Sequence, residues 1–133
     1  ELAVLLPLLM FLFVIAIDYA RVLYYSLTIE NCARNGAQFA SNIFNNQSAN
    51  SNSQMPSSYN NSIPQAAIAD GANLNPPLTT ANVTVSNGTD ANNNPTVTVT
   101  VNYTFKTITN YPGIPSTVNL VRSVTMRYAP QNN

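Results

Sequence analysis

The chain has 133 residues, enough for one domain, and only 8% of them are charged, against about a quarter in an average soluble domain. Five acids and five bases cancel, and histidine is absent. Phosphate recognition needs clustered basic residues. The basic residues of the distal half are scattered, at Lys106, Arg122 and Arg127, so nucleic acid is not expected as a partner. No enzyme is expected, because the sequence holds no metal-ligand cluster, phosphate loop or nucleophile elbow. We therefore predict no catalytic, cofactor-binding or metal site.

The first predicted element is an apolar helix. Residues Leu2 to Ile17 form sixteen positions without a charge, slightly short of the ~20 residues of a membrane span. Three tyrosines follow, Tyr19, Tyr24 and Tyr25, and with Arg21 they are typical of the anchors found where a span leaves a bilayer. A secretory signal peptide is the first alternative, but it would have a basic start and a small-residue cleavage site. Neither is present.

Helical periodicity continues beyond this apolar segment and predicts one helix from about residue 2 to about residue 44. Glu30 and Arg34 form a favourable i,i+4 pair. The helix would be about 65 Å long, roughly twice the hydrocarbon core of a bilayer. Its distal half must then stand outside the membrane and pack on another element. The predicted packing residues recur at helical spacing: Ala33, Gly36, Ala37, Ala40 and Phe44.

Four residues in or directly before the helix are candidates for a role in assembly: Glu1, Pro7, Asp18 and Arg21. Pro7 removes the backbone hydrogen bond to Ala3 and would kink or loosen the first turns, or it marks a late helix start. Asp18 and Arg21 can pair within the helix at i,i+3 or between subunits. A local surface pair is the default, and such a pair contributes under ~1 kcal/mol.

Glu1 lies directly before the apolar segment. A carboxylate at the edge of an apolar helix bundle costs several kcal/mol unless it is paired. We hypothesise that Glu1 neutralises the N-terminal amine of its own or a neighbouring subunit and sets axial register. The alternative is an ordinary acid favoured by the dipole at a helix start.

A polar loop with a short helix follows the long helix. Residues 45–61 are rich in Asn and Ser and show no periodicity. A short helix over about 63–70 is predicted, with Ser62 as N-cap and Gly71 as the stop. Five N-glycosylation sequons occur where the Asn, Ser and Thr content predicts about four by chance, so they are weak candidates. They begin at Asn46, Asn60, Asn82, Asn87 and Asn102.

Three strands complete the chain, at 81–87, 95–105 and 117–128. The second is the clearest, because Val97 to Phe105 alternate apolar residues with mainly Thr. In the third strand Arg122 falls on the apolar face, which predicts a bulge or a rim position. The single cysteine, Cys32, is either a small packed residue or a thiol that reacts or bridges between chains.

The predicted fold is α+β, with the distal half of the long helix covering a small antiparallel three-stranded sheet. Four segments follow from this arrangement: a membrane or filament-core helix (1–25), the packing half of the same helix (26–44), the polar loop with its short helix (45–80), and the β-region (81–133).

The N-terminal pattern resembles TadE-like pseudopilins of tight-adherence secretion systems, within the type IV pilin-like plan. The resemblance is carried by Glu1 with the early Leu6-Pro7, by Asp18-Tyr19 near Arg21, by the segment ENCARNGA (30–37), and by Thr125-Met126-Arg127. It covers about 45 N-terminal residues well and the strands loosely. The Asn/Ser-rich loop departs from the family pattern.

The resemblance implies a structural subunit of an extracellular type IV pilus-like filament used in adhesion or surface attachment. It also implies removal of a basic leader by a prepilin peptidase, an inner-membrane stage, and an assembly motor and platform. The chain would polymerise with itself. The alternatives are a minor pseudopilin that primes or caps another pilus, and a bitopic membrane protein that displays its β-domain as a binding module.

Overall fold

The computed structural model describes residues 2–46, 62–108 and 115–128. Two α-helices, α1 (Leu2–Asn46) and α2 (Ser62–Ile68), precede three strands, β1 (Val83–Thr89), β2 (Pro95–Lys106) and β3 (Thr117–Arg127). Short 3-10 turns lie at Ala69–Gly71 and Thr80–Asn82. The predicted α+β fold, a long helix followed by a small antiparallel sheet, is confirmed.

The sheet is an antiparallel meander in the order β1-β2-β3. The pairing of β2 with β3 runs without interruption from Thr96 opposite Arg127 to Lys106 opposite Thr117. The bulge considered for Arg122 is therefore wrong, and this residue lies in register on the edge strand β3, opposite Val101. Its guanidinium reaches the rim of the sheet, where it donates hydrogen bonds to the Ser26 hydroxyl of α1 and to the Val121 carbonyl.

Strand β1 begins two residues later than the sequence predicts. Thr79 and Asn82 form a capping box, in which the Thr79 backbone N–H and hydroxyl both donate to the Asn82 side-chain oxygen. This local exchange of hydrogen bonds holds residues 80–82 in a 3-10 turn, so that strand pairing starts at Val83.

The core lies between the inner face of the sheet and the distal half of α1. Every second residue of β2 faces the helix and is buried, and the helix presents mainly small side chains in return. Small side chains let the helix backbone approach the sheet closely, which compensates for the few strands. The core residues with no exposed surface are Ile29, Cys32, Ala33, Ala37, Ala40, Ile63, Ala67, Val97, Val99 and Val101.

The packing of α1 is tight at Gly36. A Cβ atom at this position would lie 2.9 Å from the Cβ of Ala67 on α2 and 3.1 Å from Cγ1 of Val99 on β2. Both neighbours are short side chains attached to packed backbone, so neither can move aside cheaply. Gly36 is thus the point at which α1, α2 and the sheet meet.

Helix α2 and the residues after it contribute further side chains to the core. Ile63, Leu74 and Leu78 are buried there, and the Tyr103 hydroxyl donates a 2.9 Å hydrogen bond to the Pro76 carbonyl. The side-chain amide of Asn35 on α1 donates a hydrogen bond to the carboxylate of Asp70, which lies just after α2. Polar contacts at the surface thus fix the segment whose apolar side chains fill the core.

The β1–β2 turn is organised around the Asp90 carboxylate. Its Oδ1 accepts the backbone N–H groups of Asn92 (2.9 Å) and Asn94 (2.8 Å), and its Oδ2 lies 2.6 Å from the guanidinium of Arg127. Asn93 adopts the left-handed backbone conformation (φ 62°), which Asn tolerates well. One carboxylate thereby ties the turn to the end of β3.

We predict that Gly36→Val lowers the free energy of unfolding by about 1–3 kcal/mol, because the added methyl groups have no space between Ala67 and Val99. The control is Gln38→Val on the exposed face of the same helix, which introduces the same side chain where nothing overlaps it. It should cost only the helix propensity of valine, under ~0.7 kcal/mol. Urea unfolding of the full chain in detergent, followed by circular dichroism, measures both. Equal losses for the two variants would contradict the close-packing argument.

We also predict that Asp90 gives the fold a pH dependence. The backbone N–H of Asn94 is the largest cause holding the pKa of Asp90 below its ordinary value of 3.8, and Asn92 and Arg127 add to it. A carboxyl with a lowered pKa stabilises the fold above its ordinary pKa, and this contribution disappears as the pH falls through the lowered pKa. The thermal midpoint of the parent should therefore fall more steeply than that of Asp90→Asn below pH 3.8. Parallel curves for the two chains would exclude the contribution.

Candidate functional site

The most unusual surface of the molecule is the start of α1. From Ala3 to Ile17 every side chain is exposed except that of half-buried Val14, and almost all of these side chains are apolar. Val4 is 79% exposed and Phe13 64%. The helix is long and apolar enough to cross a membrane. Soluble proteins seldom expose so much contiguous apolar surface, so another apolar environment must cover this part of α1.

Pro7 lies within this exposed segment, and α1 runs from Leu2 to Asn46 on both sides of it. The helix therefore begins before Pro7, and the alternative of a late helix start is wrong. Proline has no backbone N–H, so the carbonyl of Ala3 lacks its normal partner within the helix. In an apolar surrounding that carbonyl needs a donor from a neighbouring group, which makes this turn a candidate contact between helices.

The exposed segment ends at Asp18, which is the first buried residue after Ala3. Both carboxylate oxygens of Asp18 lie 3.2 Å from the backbone N of Ile108, which donates to them from the connection after β2. Arg21 donates from Nη1 to Oδ1, also at 3.2 Å. The side chain of Asp18 is only 9% exposed, so this is not the surface pair expected from the sequence. We call Asp18, Arg21 and Ile108 the neck.

Arg21 and the rings beside it complete the neck. The guanidinium carbon lies 5.0 Å from the centre of the Phe105 ring, which is within range of a cation–π interaction. The Tyr25 ring packs edge-on against Phe105, with 5.0 Å between ring centres. Tyr25 is buried there and is not the interfacial anchor that the sequence predicts. Next to Tyr25 along the helix, Ser26 accepts from Arg122 of β3. The neck and these neighbours therefore fix the direction in which the apolar segment leaves the β-domain.

The structure brings the five predicted packing residues together on one side of α1. Ala33, Gly36, Ala37, Ala40 and Phe44 are all buried. The Phe44 ring stacks on Tyr128, with 4.6 Å between ring centres. These residues form the sheet-facing end of the helix and lie far along α1 from the exposed segment.

The other predicted positions are not gathered into a site. Glu1 and Asn60 lie outside the described residues, and Asn46 ends α1. Asn82 is engaged in its capping box, whereas Asn87 and Asn102 are exposed on β1 and β2. Glycosylation stays a prediction, and of the sequon side chains that the structure describes, those of Asn87 and Asn102 are exposed.

Cys32 is fully buried against the sheet and the segment after α2. Burial, with the Asp70 carboxylate adding to it, raises the pKa of the Cys32 thiol to about 11. A buried thiol that stays protonated neither reacts readily nor reaches a second chain. Among the described residues, no group of His, Cys, Asp and Glu side chains is arranged to hold a metal ion.

Sequence reasoning missed Ile108 in the neck and the contact between Ser26 and Arg122 beside it. Ile108 contributes through its backbone N–H, and it lies ninety residues from Asp18 along the chain. The sequence predicts a bulge or a rim position for Arg122 but does not indicate its partner, and Ser26 has no feature that distinguishes it from other helical residues. The only sequence signal was an acid placed at the end of a long apolar run, which has to be satisfied by some donor.

Comparison with known families adds an independent observation on α1. Residues 1–38 match the TadE-like protein family. The match confirms the resemblance over the apolar segment, the helical residues of the neck and ENCARNGA, and it ends before the β-region. No curated protein and no solved structure matches the chain.

The matched segment includes the whole exposed surface described above. TadE-like proteins are pilus-associated pseudopilins of the tight-adherence system and are structural components, not enzymes. The similarity and the apolar helix together fit a membrane-anchored or surface-pilus protein that associates with other pilus components.

We predict that Asp18→Ala lowers the free energy of unfolding by about 1–3 kcal/mol, because it removes the acceptor of a part-buried backbone N–H. Hydrogen exchange of the peptide covering residues 104–108 should also accelerate. Asp18→Asn keeps one acceptor oxygen and should lose less.

The control for Asp18→Ala is Glu30→Ala. Glu30 forms the other acid–arginine pair of α1, but its 3.6 Å contact with Arg34 joins side chains that are 42% and 56% exposed. Removing this pair should cost under ~1 kcal/mol and leave exchange at residues 104–108 unchanged. If the two alanine variants behave alike, the neck is no stronger than a surface ion pair.

Proposed function

We propose that the chain is a structural subunit of an extracellular type IV pilus-like filament that acts in adhesion or surface attachment. The observation that carries the proposal is the exposed apolar start of α1, within the segment that matches TadE-like proteins. Packing of these segments from many subunits would form the filament core, with the β-domains outside.

Energetics support two successive environments for the apolar segment. Thirteen large apolar side chains lie between Leu2 and Ile17. Keeping them out of water is worth on the order of 20–40 kcal/mol, as an upper value. The subunit is therefore held in the inner membrane before assembly and in a helix bundle afterwards.

Transfer between these environments gains little hydrophobic energy, because lipid tails are as apolar as neighbouring helices. Assembly must then draw on van der Waals packing, on specific polar contacts and on an external motor and platform. A prepilin peptidase that removes a basic leader is the further partner that this route implies. The exposed helix surface is the part of the subunit that would form the new packing contacts.

Glu1 is the polar contact that we assign to assembly. In an apolar bundle its carboxylate requires a cation, and the N-terminal amine of its own or a neighbouring subunit is the cation available at that level. Asp18 is already bound to Arg21 and to Ile108 within the chain. Axial register would therefore be set by Glu1, with Asp18 orienting the β-domain on the rod.

The deciding experiment is to shear the cell surface and examine the released material by electron microscopy and mass spectrometry. We expect filaments in which this chain is a major component. The matched variants are Glu1→Gln and Glu30→Gln, which each remove one negative charge from the N-terminal part of the chain. Only Glu1→Gln should reduce filament number or alter the axial repeat.

Other outcomes would assign a different role. Trace amounts of the chain at filament ends would indicate a minor pseudopilin that primes or caps another pilus. Recovery of the chain in the membrane fraction alone, with no filaments, would indicate a bitopic protein that displays its β-domain. Normal filaments and repeat with Glu1→Gln would exclude the assembly role of Glu1.

A further inference from the structure

The uncharged segment of α1 is slightly shorter than the hydrocarbon core of a bilayer. Its sixteen uncharged residues, Leu2 to Ile17, rise by about 24 Å, whereas the hydrocarbon core is about 30 Å thick. Tilting the helix increases the shortfall. About four more residues, 18–21, are therefore drawn to the depth of the bilayer surface, and these include the helical residues of the neck.

The neck places a second part of the chain at the same depth. Because both oxygens of Asp18 bind the N–H of Ile108, the start of the β2–β3 connection lies beside residue 18 of the helix. The side chain of Ile108 is 63% exposed. An apolar residue that lies at the end of an apolar span continues the surface of that span.

The backbone N–H groups of Thr107 and Ile108 are already bound, as burial of these donors against lipid requires. Its own N–H is bound by Asp18, and Asp18 is bound in turn by Arg21. The N–H of Thr107 donates to the Ser116 carbonyl at 3.1 Å. Contact with the bilayer would therefore leave neither of these backbone donors without an acceptor.

Charge favours the same contact. From Thr107 to Val121 the sequence has no charged residue, so no charge in the connection resists an approach to lipid. Lys106, the only lysine of the chain, is exposed two residues before Ile108. A lysine at this depth can reach a headgroup phosphate while its stem remains in the apolar zone.

We propose that Ile108 and Lys106 form a second membrane contact of the unassembled subunit, with Ile108 in the interfacial zone of the bilayer and Lys106 on lipid phosphates. This inference rests on the proposed inner-membrane stage. The subunit is then held to the bilayer at two points, and the β-domain lies against the membrane surface in a fixed orientation. Leaving the membrane for a filament requires the release of both contacts.

Single tryptophans test this directly, because the chain contains none. Three full-length variants are reconstituted in phosphatidylcholine vesicles whose acyl chains carry bromine: Leu9→Trp within the apolar segment, Ile108→Trp, and Val121→Trp. Val121 is the matched control, a β-branched residue that is 48% exposed on β3. Bromine quenches tryptophan only on contact, so its position along the acyl chain reports depth.

We expect the tryptophan of Leu9→Trp to be quenched most by bromine deep in the acyl chains. The Ile108→Trp variant should be quenched by bromine near the headgroups and show blue-shifted emission. The Val121→Trp variant should remain unquenched, with the emission of a residue in water.

Two outcomes separate this inference from the membrane stage on which it rests. If Ile108→Trp behaves as Val121→Trp does while Leu9→Trp is quenched, the second contact is excluded and the membrane stage stands. If Leu9→Trp is also unquenched, both proposals fail.

A smaller probe covers the case in which a tryptophan disturbs the fold. Ile108→Cys and Val121→Cys introduce a small residue at exposed positions, and the native Cys32 is buried and protonated, so it does not compete for label. An environment-sensitive fluorophore at position 108 should show blue-shifted emission in vesicles, and one at position 121 should not. Identical emission at the two positions would overturn the inference.

Discussion

The close contact between the distal half of α1 and the inner face of β2 is the interaction on which the rest of the structure depends. A three-stranded sheet with two free edges has too little apolar surface to be stable alone, and seven-residue α2 adds only a small amount. The small side chains of α1 allow its backbone to approach Val99 until Gly36 has no space for a Cβ. Helix and sheet therefore form one folding unit, and neither half would persist without the other.

This contact also determines what the exposed half of α1 can do. One uninterrupted helix carries both the packing residues and the exposed apolar segment. The position of the β-domain on the rod is therefore fixed by the same backbone that carries the apolar side chains. The neck removes the remaining freedom, since Asp18 and Arg21 tie the helix to the strand end at Phe105 and Ile108. The direction of the apolar segment relative to the β-domain is thus set by these contacts.

The sequence was sufficient for the parts of the fold that follow from periodicity. Alternation in β2 predicted its buried face from Val97 to Phe105, and small residues at helical spacing predicted which side of α1 meets the sheet. Contacts between distant residues were not predictable in this way. Nothing near Asp18 indicates that its partner is the N–H of Ile108, and nothing near Arg122 indicates Ser26. Strand β1 starts late because Asn82 caps a turn, a local hydrogen bond that competes with the strand pattern.

Most of the charged residues that the structure describes are paired within the chain, which has a consequence for how subunits recognise one another. Asp18, Glu30 and Asp90 each pair with an arginine of the same chain. Asp70 accepts from Asn35, and Arg122 binds Ser26. Of the charged residues that the structure describes, Lys106 is the one for which no hydrogen bond or ion pair within the chain is seen. Association through the remaining surface must therefore depend mainly on shape, hydroxyl and amide groups, and the apolar helix, and it should respond weakly to salt.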